Sequence, residues 1–417
     1  MQTRTFALAL VGSRGDVQPG LAVAAGLRER GHRVELGVAP NLLPMARRLG
    51  LDAIEIGVDS RELLTSSLVR KEMRSADPRR RARALREVAA YGWTELREGI
   101  ERLSVKADVV VTGLLGQEMG AAVAEAREIA FAALHYCPVR ANSVVPLVSF
   151  GGKSARVRSS TWRAGEAVRW ALTRKAENEH RKELGLPPAV VDLPSRLRDR
   201  GATEVQAYDA ALVPGLAGEW GNRRPLVGSL DLPWSARPAE NIDGELESWL
   251  AGGPPPVYVG FGSMPVPDPA AVLDSVTRMC DELGVRALVV AGWSGFERPA
   301  DARLFVTPAV EHAEVLPKCS VVVHHGGAGT TAAVVRAGKP SVVCPFSADQ
   351  PMWAAILRGH GIGTSVRFSR LDAASLTAAV AAMSRPEVRA RAERFAERMT
   401  PVADAVSAAT GRLEAAV

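Results

Sequence analysis

Short apolar runs alternate with amphipathic stretches twice along this chain, and that rhythm constrains its fold more than any other feature. Phe6–Val11, Val34–Val38, Ala53–Ile56, Asp108–Thr112 and Phe131–Leu134 read as buried strands, and Pro19–Arg30 and Leu42–Leu49 as helices between them. The pattern restarts with strands at Val257–Gly260, Ala287–Ala291, Val321–His324 and Ser341–Cys344, and with helices at Ala270–Leu283 and Thr331–Ala337. Repeated βαβ order of this kind builds a parallel sheet covered by helices on both faces. At 417 residues the chain exceeds one ordinary core. The expected fold is therefore α/β, with two Rossmann-like, doubly wound domains facing each other across a ligand cleft at their C-terminal strand ends. The expected boundaries are 1–232 for the first domain, 233–256 for a linker rich in Pro, Gly and acidic residues in which Asp243–Leu250 could form one short helix, and 257–395 for the second domain. Residues 60–105 and 151–200, more polar and helical in pattern, read as insertions over one end of the first sheet.

Composition narrows the class. No apolar stretch reaches the roughly 20 residues that span a bilayer, and none near the start resembles a signal peptide, so a cytoplasmic protein is expected. Cys137, Cys280, Cys319 and Cys344 are scattered without a CxxC pair, against a disulfide framework or a structural zinc site. The net charge of +6 is modest but uneven. Arg79, Arg80, Arg81, Arg83 and Arg86 form one basic stretch. Lys153, Arg156, Arg158, Arg163, Arg169, Arg174 and Lys175, with Trp162 and Trp170, form another. These read either as solvated helix faces or as a basic surface for peripheral contact with an anionic membrane; no recognition motif supports nucleic acid.

The segment Val321–Thr331, Val-Val-Val-His-His-Gly-Gly-Ala-Gly-Thr-Thr, runs from an apolar strand through a glycine-rich turn into a helix. Gly326, Gly327 and Gly329 let the backbone turn sharply and approach a ligand, and Thr330 and Thr331 add hydroxyls where the helix begins. The first amides of a helix are unpaired and its N-terminal end is positive, so a diphosphate can be held there. A histidine beside it can offset charge that builds on a departing phosphate. The loop has no lysine, which sets it apart from the GxxxxGK[ST] pattern of nucleoside triphosphatases. It is not GxGxxG either, and no acid follows to read a nicotinamide ribose.

About 20 residues further on, the next strand ends in Pro345–Pro351, which contains Asp349 and Gln350. A carboxylate beside an amide suits recognition of sugar hydroxyls, although Asp349 also stands where a helix cap would. Between Val315 and Arg385 the only acids are Asp349 and Asp372, and no Asp-x-Asp occurs in the chain. A divalent ion held on paired carboxylates is therefore not expected, nor any cofactor beyond a nucleotide-linked co-substrate.

With these segments in view, the chain resembles glycosyltransferases of the two-domain GT-B fold, family 1 type. The resemblance spans nearly the whole length: Gly12-Ser13-Arg14-Gly15-Asp16, Gly260-Phe261-Gly262-Ser263-Met264, Ala291-Gly292-Trp293, the His-His loop and Asp349-Gln350. Within the family it is similar to bacterial natural-product enzymes. Ala133–Asn142 and Gln206–Asp209 are similar to the mycobacterial glycopeptidolipid branch. The resemblance implies a UDP- or dTDP-linked hexose or 6-deoxyhexose donor and an apolar acceptor, such as a lipopeptide or glycolipid. It implies that His325, Gly326, Gly327, Gly329 and Thr330, with Ser13, Gly262 and Ser263, hold the diphosphate, and that Asp349 and Gln350 hold the sugar. Trp293 and the backbone of Val310 would line the nucleotide side. Ala309 departs from the aromatic residue of the plant branch, and Glu311-His312 from its usual Pro-His or Pro-Gln. The final residues, 396–417, would cross back to the first domain.

Inverting transfer also needs a base for the acceptor hydroxyl. Asp16, ending a glycine-rich loop after the first strand, is the first candidate; its alternative role is capping the helix expected near Pro19. Many family members place a histidine in this loop, but none lies between Met1 and Leu27. His135, at another strand end, is the second candidate, with a pocket-lining or core histidine as its alternative. Three other functions fit parts of the pattern: a nucleotide-sugar epimerase of the same fold, a non-catalytic nucleotide-binding homologue acting through partners, and a nicotinamide oxidoreductase.

Overall fold

The computed structural model describes residues 2–66, 77, 79–80, 83–84, 87, 91–147, 154–232 and 244–416. The chain forms two compact units, Met1–Pro238 with Thr400–Val417, and Ala239–Met399. No helix among the described residues is long and apolar enough to cross a membrane. Arg81, Arg86, Lys153 and the start of the expected linker, 233–243, lie outside the described residues.

The first unit is built on six parallel strands: β1 (Thr5–Leu10), β2 (Arg33–Val38), β3 (Ala53–Glu55), β4 (Val109–Thr112), β5 (Ala130–His135) and β6 (Thr203–Gln206). Their order is β3-β2-β1-β4-β5-β6. Side chains alternate between the two faces of a strand, and the register aligns them across the sheet. Leu8 pairs with Val111 and Val111 with Ala132, so Leu8, Leu10 and Leu134 share one face. Helix α1 (Arg14–Glu29) covers that face, and Gly20 permits the approach, since a Cβ there would lie 2.5 Å from Leu10 Cδ1. The opposite face carries Ala7, Ala9, Val110, Phe131 and Ala133. It packs on Leu96 and Ile100 of α2 (Trp93–Leu103) and on Met119 and Val123 of α3 (Gln117–Ala126). Each fully buried Val, Leu, Ile, Met or Phe side chain in such a layer contributes about 1.5–3 kcal/mol. The 29-residue α4 (Ala155–Glu183) fills much of the expected second insertion.

The second unit repeats the plan with β7 (Val257–Gly260), β8 (Ala287–Val290), β9 (Leu304–Thr307), β10 (Val322–His324), β11 (Ser341–Val343) and β12 (Gly363–Ser365). The order is β12-β11-β10-β7-β8-β9, again all parallel. Helix α5 (Pro269–Leu283) shows why helices begin and end where they do. Asp268 accepts the Ala271 amide at 3.0 Å, Pro269 occupies the first turn, and Gly284 leaves the helix at φ 65°. Helices α6 (Ala328–Arg336), α7 (Gln350–Gly359) and α8 (Ala373–Met383) follow. One sheet face, with Val257, Val259, Val289, Val323 and Val342, packs on Val276, Met279, Leu376 and Val380. In both units the first strand stands beside the fourth, and at such a reversal of strand order ligands bind outside the C-terminal strand ends.

The last helix, α9 (Val402–Glu414), belongs to the first unit. It packs on α1, where a Cβ on Gly26 would meet Thr410 and Val406 at 3.0 Å. Glu414 bonds Arg30 at 2.7 Å and His32 Nε2 at 2.8 Å, and Asp209 Oδ2 accepts the Thr400 amide at 2.6 Å.

Several sequence expectations need correction. Helix α1 begins at Arg14 rather than near Pro19, which lies inside it, and α6 begins at Ala328 rather than Thr331. Apolar periodicity starts only after these polar or glycine-rich first turns. Strands β6, β9 and β12 were not expected. β6 carries the buried polar residues Glu204 and Gln206, and β12 is Gly-Thr-Ser, without an apolar residue. The short helix foreseen within the linker, by contrast, is present as Gly244–Ala251. Leu246 and Leu250, one turn apart, bury it in the second unit against Tyr258 and Leu288. In the basic stretch on α4, Arg169 turns back to Glu118 and Arg158 to the Ser143 carbonyl, and Trp162 is buried with its Nε1 on the Val145 carbonyl.

Candidate functional site

In the second unit, the predicted donor residues follow the C-terminal ends of five adjacent strands. Asp349 and Gln350 follow β11, His325–Thr330 follow β10, Gly262 and Ser263 follow β7, Trp293 follows β8 and Val310 follows β9. His325 sits at the centre, its ring wedged between two backbones. A Cβ on Gly262, at φ +59°, would lie 3.1 Å from the ring Cε1, and one on Gly327 would lie 2.5 Å from Nε2. Both glycines are thus required by the imidazole as much as by any ligand. Gly326, at φ +92°, turns the chain where a Cβ would strike Val343 at 2.5 Å. The Gly262 carbonyl accepts the Trp293 amide at 3.1 Å and lies where a Cβ on Gly292 would be, so the loops after β7 and β8 interlock. Ser263 and Trp293 are half-buried beside them, and Val310 packs partly on the neighbouring core.

His325 Nδ1 is buried without a hydrogen-bond partner. Burial is the main reason its pKa falls to about 4, with a smaller effect from His312, so the ring is neutral at pH 7. His324 serves the loop itself: its Nδ1 accepts the Gly326 amide at 3.2 Å, and burial lowers its pKa to about 3. Gly327 is the N-cap of α6 and offers no side-chain cap. Gly329 and Thr330 lie in the first turn, and the Thr331 amide donates to the Gly327 carbonyl at 2.9 Å. The preceding amides are the helix-terminus donors that an anion can take.

Asp349 precedes α7 at the cap position, but its carboxylate accepts Trp353 Nε1 at 2.8 Å and caps no amide. Gln350 Oε1 accepts the Phe346 and Ser347 amides at 2.7 and 3.2 Å, which leaves the amide NH₂ as the end available to a ligand. The turn carries Ala348 at φ 56°, a conformation costly for a residue with a Cβ. Gln350 also packs on the His325 loop, 3.3 Å from where a Cβ on Gly326 would stand. Among the described residues, no three His, Cys, Asp or Glu side chains gather as a metal site.

In the first unit, Ser13 is the N-cap of α1 and Asp16 its third residue. Ser13 N and Oγ both donate to Asp16 Oδ2, at 2.7 and 2.8 Å. Asp16 therefore does take part in the helix cap. Gly12, at φ +119°, makes this possible, because a Cβ would lie 2.6 Å from that oxygen. Burial raises the Asp16 pKa above the ordinary carboxylate value, and the two Ser13 bonds partly offset it. His135 lies on the other face of the sheet, aligned with Gln206, whose Nε2 bonds His135 Nδ1 at 3.1 Å. It is fully buried, and its pKa is lowered to about 3, chiefly by burial and then by Arg140. The structure does not bring the two candidate bases together. Of the Gln206–Asp209 segment, Gln206 holds His135 and Asp209 holds Thr400. Tyr136, one residue beyond His135, escaped the sequence reading; strand alternation alone would have put it on the Asp16 face.

Each of the two units is thus a doubly wound, six-stranded parallel sheet. Residues 6–146 match the glycosyltransferase family 28 N-terminal domain, and residues 271–408 match the C-terminal domain of erythromycin biosynthesis protein CIII-like proteins. An uncharacterized glycosyltransferase of Mycobacterium tuberculosis is 40% identical over 418 residues, 98% of each chain. The O-mycaminosyltylonolide 6-deoxyallosyltransferase of Streptomyces fradiae is 32% identical over 94% of this chain and 93% of its own. Among solved structures, the glycosyltransferase VinC in complex with dTDP superposes with a TM-score of 0.66 at 16% identity, over 99% of both chains. The chain belongs to the GT-B glycosyltransferases of family 1 type, and within them it is similar to the antibiotic-modifying enzymes.

Proposed function

We propose that this chain is an inverting, metal-independent glycosyltransferase that moves a hexose or 6-deoxyhexose from a UDP- or dTDP-linked donor to a hydroxyl of an apolar acceptor such as a lipopeptide or glycolipid. The observation that carries the reading is the neutral His325 imidazole, fixed between Gly262 and Gly327 beside the uncapped start of α6. The helix amides, the glycine backbones and Ser263 hold the diphosphate there, and Asp349 with the Gln350 amide holds the sugar. That VinC binds dTDP supports the nucleotide class. The acceptor oxygen bonds to the anomeric carbon opposite the phosphate, and Asp16 takes its proton. The bond from that carbon to the diphosphate oxygen breaks, and the electron pair leaves on the nucleotide. Charge growing on the leaving group is met by the helix end and by His325, with no metal and no resident cofactor.

Removing His325 tests this. His325→Ala is expected to weaken UDP or dTDP binding about 10- to 100-fold in calorimetry, the worth of one hydrogen bond to a charged group. An unchanged dissociation constant would withdraw the assignment.

The reading also places the enzyme in the cytoplasm, at the inner face of an anionic membrane. On α4, Val168 and Leu172 are exposed at 60% and 56%, one turn apart, with Arg163, Arg174, Lys175 and Lys182 exposed around them. An apolar strip flanked by basic residues suits an anionic lipid surface.

A further inference from the structure

The search for a partner to Asp16 leads to Tyr136. It follows β5, and alternation sets it on the face shared by Leu134 and Leu10, which α1 covers, rather than on the face of His135. Its ring lies against Gly113, just beyond β4, where a Cβ would stand 3.7 Å from Tyr136 Cε2. β4 is the neighbour of β1, whose end leads into the Gly12–Asp16 turn, so Tyr136 and Asp16 flank the reversal of strand order in this unit. The charge of Asp16 reaches the tyrosine and, with burial as the larger cause, keeps the phenol protonated.

Two polar atoms here have no use within the protein. Tyr136 is 9% exposed, and its hydroxyl is buried without a partner. Both Ser13 donors go to Asp16 Oδ2, leaving Oδ1 without a protein hydrogen bond. A buried hydroxyl without a partner costs about 1–3 kcal/mol, so a fold that keeps one has a ligand or water for it.

We propose that Tyr136 is an acceptor-binding residue: its hydroxyl donates to an acceptor oxygen adjacent to the hydroxyl whose proton Asp16 removes. The proposal rests on the glycosyltransferase reading above. Donation to the attacked oxygen itself would draw electron density from the nucleophile, so the neighbouring oxygen is the productive partner. The acceptor class is thereby an apolar molecule that offers two adjacent oxygens, such as a vicinal diol on a lipid-linked sugar.

Octyl β-glucoside, which carries adjacent hydroxyls, and 1-octanol, which has one, are the probes. Nucleoside diphosphate release is measured with the full-length enzyme and with Tyr136→Phe. The wild type should prefer the glucoside. Tyr136→Phe should raise its KM about three- to tenfold, the worth of one neutral hydrogen bond, without changing nucleotide affinity. The two enzymes should treat octanol alike. The melting temperature of the ligand-free variant should stay level or rise, because the orphaned hydroxyl is gone; a tyrosine that served packing alone would lower it. Identical KM values for the glucoside, no preference of the wild type for it, or equal losses on both probes would overturn the proposal. If the wild type binds UDP or dTDP and hydrolyses the donor, such a result leaves the glycosyltransferase reading standing. If it binds neither nucleotide, that reading fails too.

Discussion

Asp16 is held by two donors on one oxygen and none on the other, an asymmetry that separates its structural from its chemical work. Asp16→Asn keeps an oxygen for Ser13 and cannot take a proton. The expected outcome is turnover lowered at least about a hundredfold in a product-release assay, with nucleotide affinity unchanged. Turnover equal to wild type would remove Asp16 from the mechanism. Much at this scale was legible in the sequence. The glycines around His325 announced a tight loop, and the structure adds that Gly262 and Gly327 are shaped to the ring itself. The hydrogen bonds that tie Gln350 to its own turn were not legible, because they depend on Ala348 adopting a left-handed backbone. Tyr136 was passed over because a tyrosine beside a buried histidine reads as core until the face it points to is known.

At the scale of elements, most strand positions followed from apolar runs, and so did the start of α5, whereas the starts of α1 and α6 did not. The first turns of α1 and α6 carry Arg14, Gly15 and Asp16 in one case and Ala328, Gly329 and Thr330 in the other. Their ligand-facing amides need small or polar residues, so the parts that matter most to a site lack the periodicity that marks a helix. The short β12 was invisible because Gly-Thr-Ser offers no apolar run, unlike the equally short β3, β10 and β11. Helix α4 carries its own prediction. Wild-type protein should co-sediment with vesicles containing phosphatidylserine and be released at high salt, and Val168→Asp with Leu172→Asp should abolish retention. Equal retention by neutral vesicles would remove the electrostatic part of that reading.

Across the whole molecule, burial lowers the pKa of four histidines, His135 and His324 to about 3, His325 to about 4, and His180 in the same direction. Unfolded, each takes a proton near pH 6.5, so the unfolded chain binds more protons below that value. The stability they protect is complete above about pH 6.5 and declines as the pH falls toward 4, by at most about 1.4 kcal/mol per pH unit for each histidine. Asp16 and Glu177, whose pKa values burial raises, act in the opposite sense. Urea midpoints should therefore fall between pH 7 and pH 5, and His324→Asn should flatten the slope. A midpoint constant over that range would mean the rings are solvated. Protonating His324 would also remove the acceptor for the Gly326 amide, so the anion loop should loosen under the same conditions.

The position of α9 has a consequence for how the protein is made. Synthesis proceeds from the N-terminus, and domains fold as their residues emerge. Residues 239–399 form a unit that is complete before α9 is made, whereas the other unit is drawn from segments on both sides of it, 1–238 and 400–417. Thr400, held by Asp209, and Glu414, held by Arg30 and His32, are made only after it. Until they are made, the strip of α1 around Gly26 stays open, so a nascent chain carries a finished domain inside an unfinished one, and a ribosome that stalls between the two leaves that surface to chaperones.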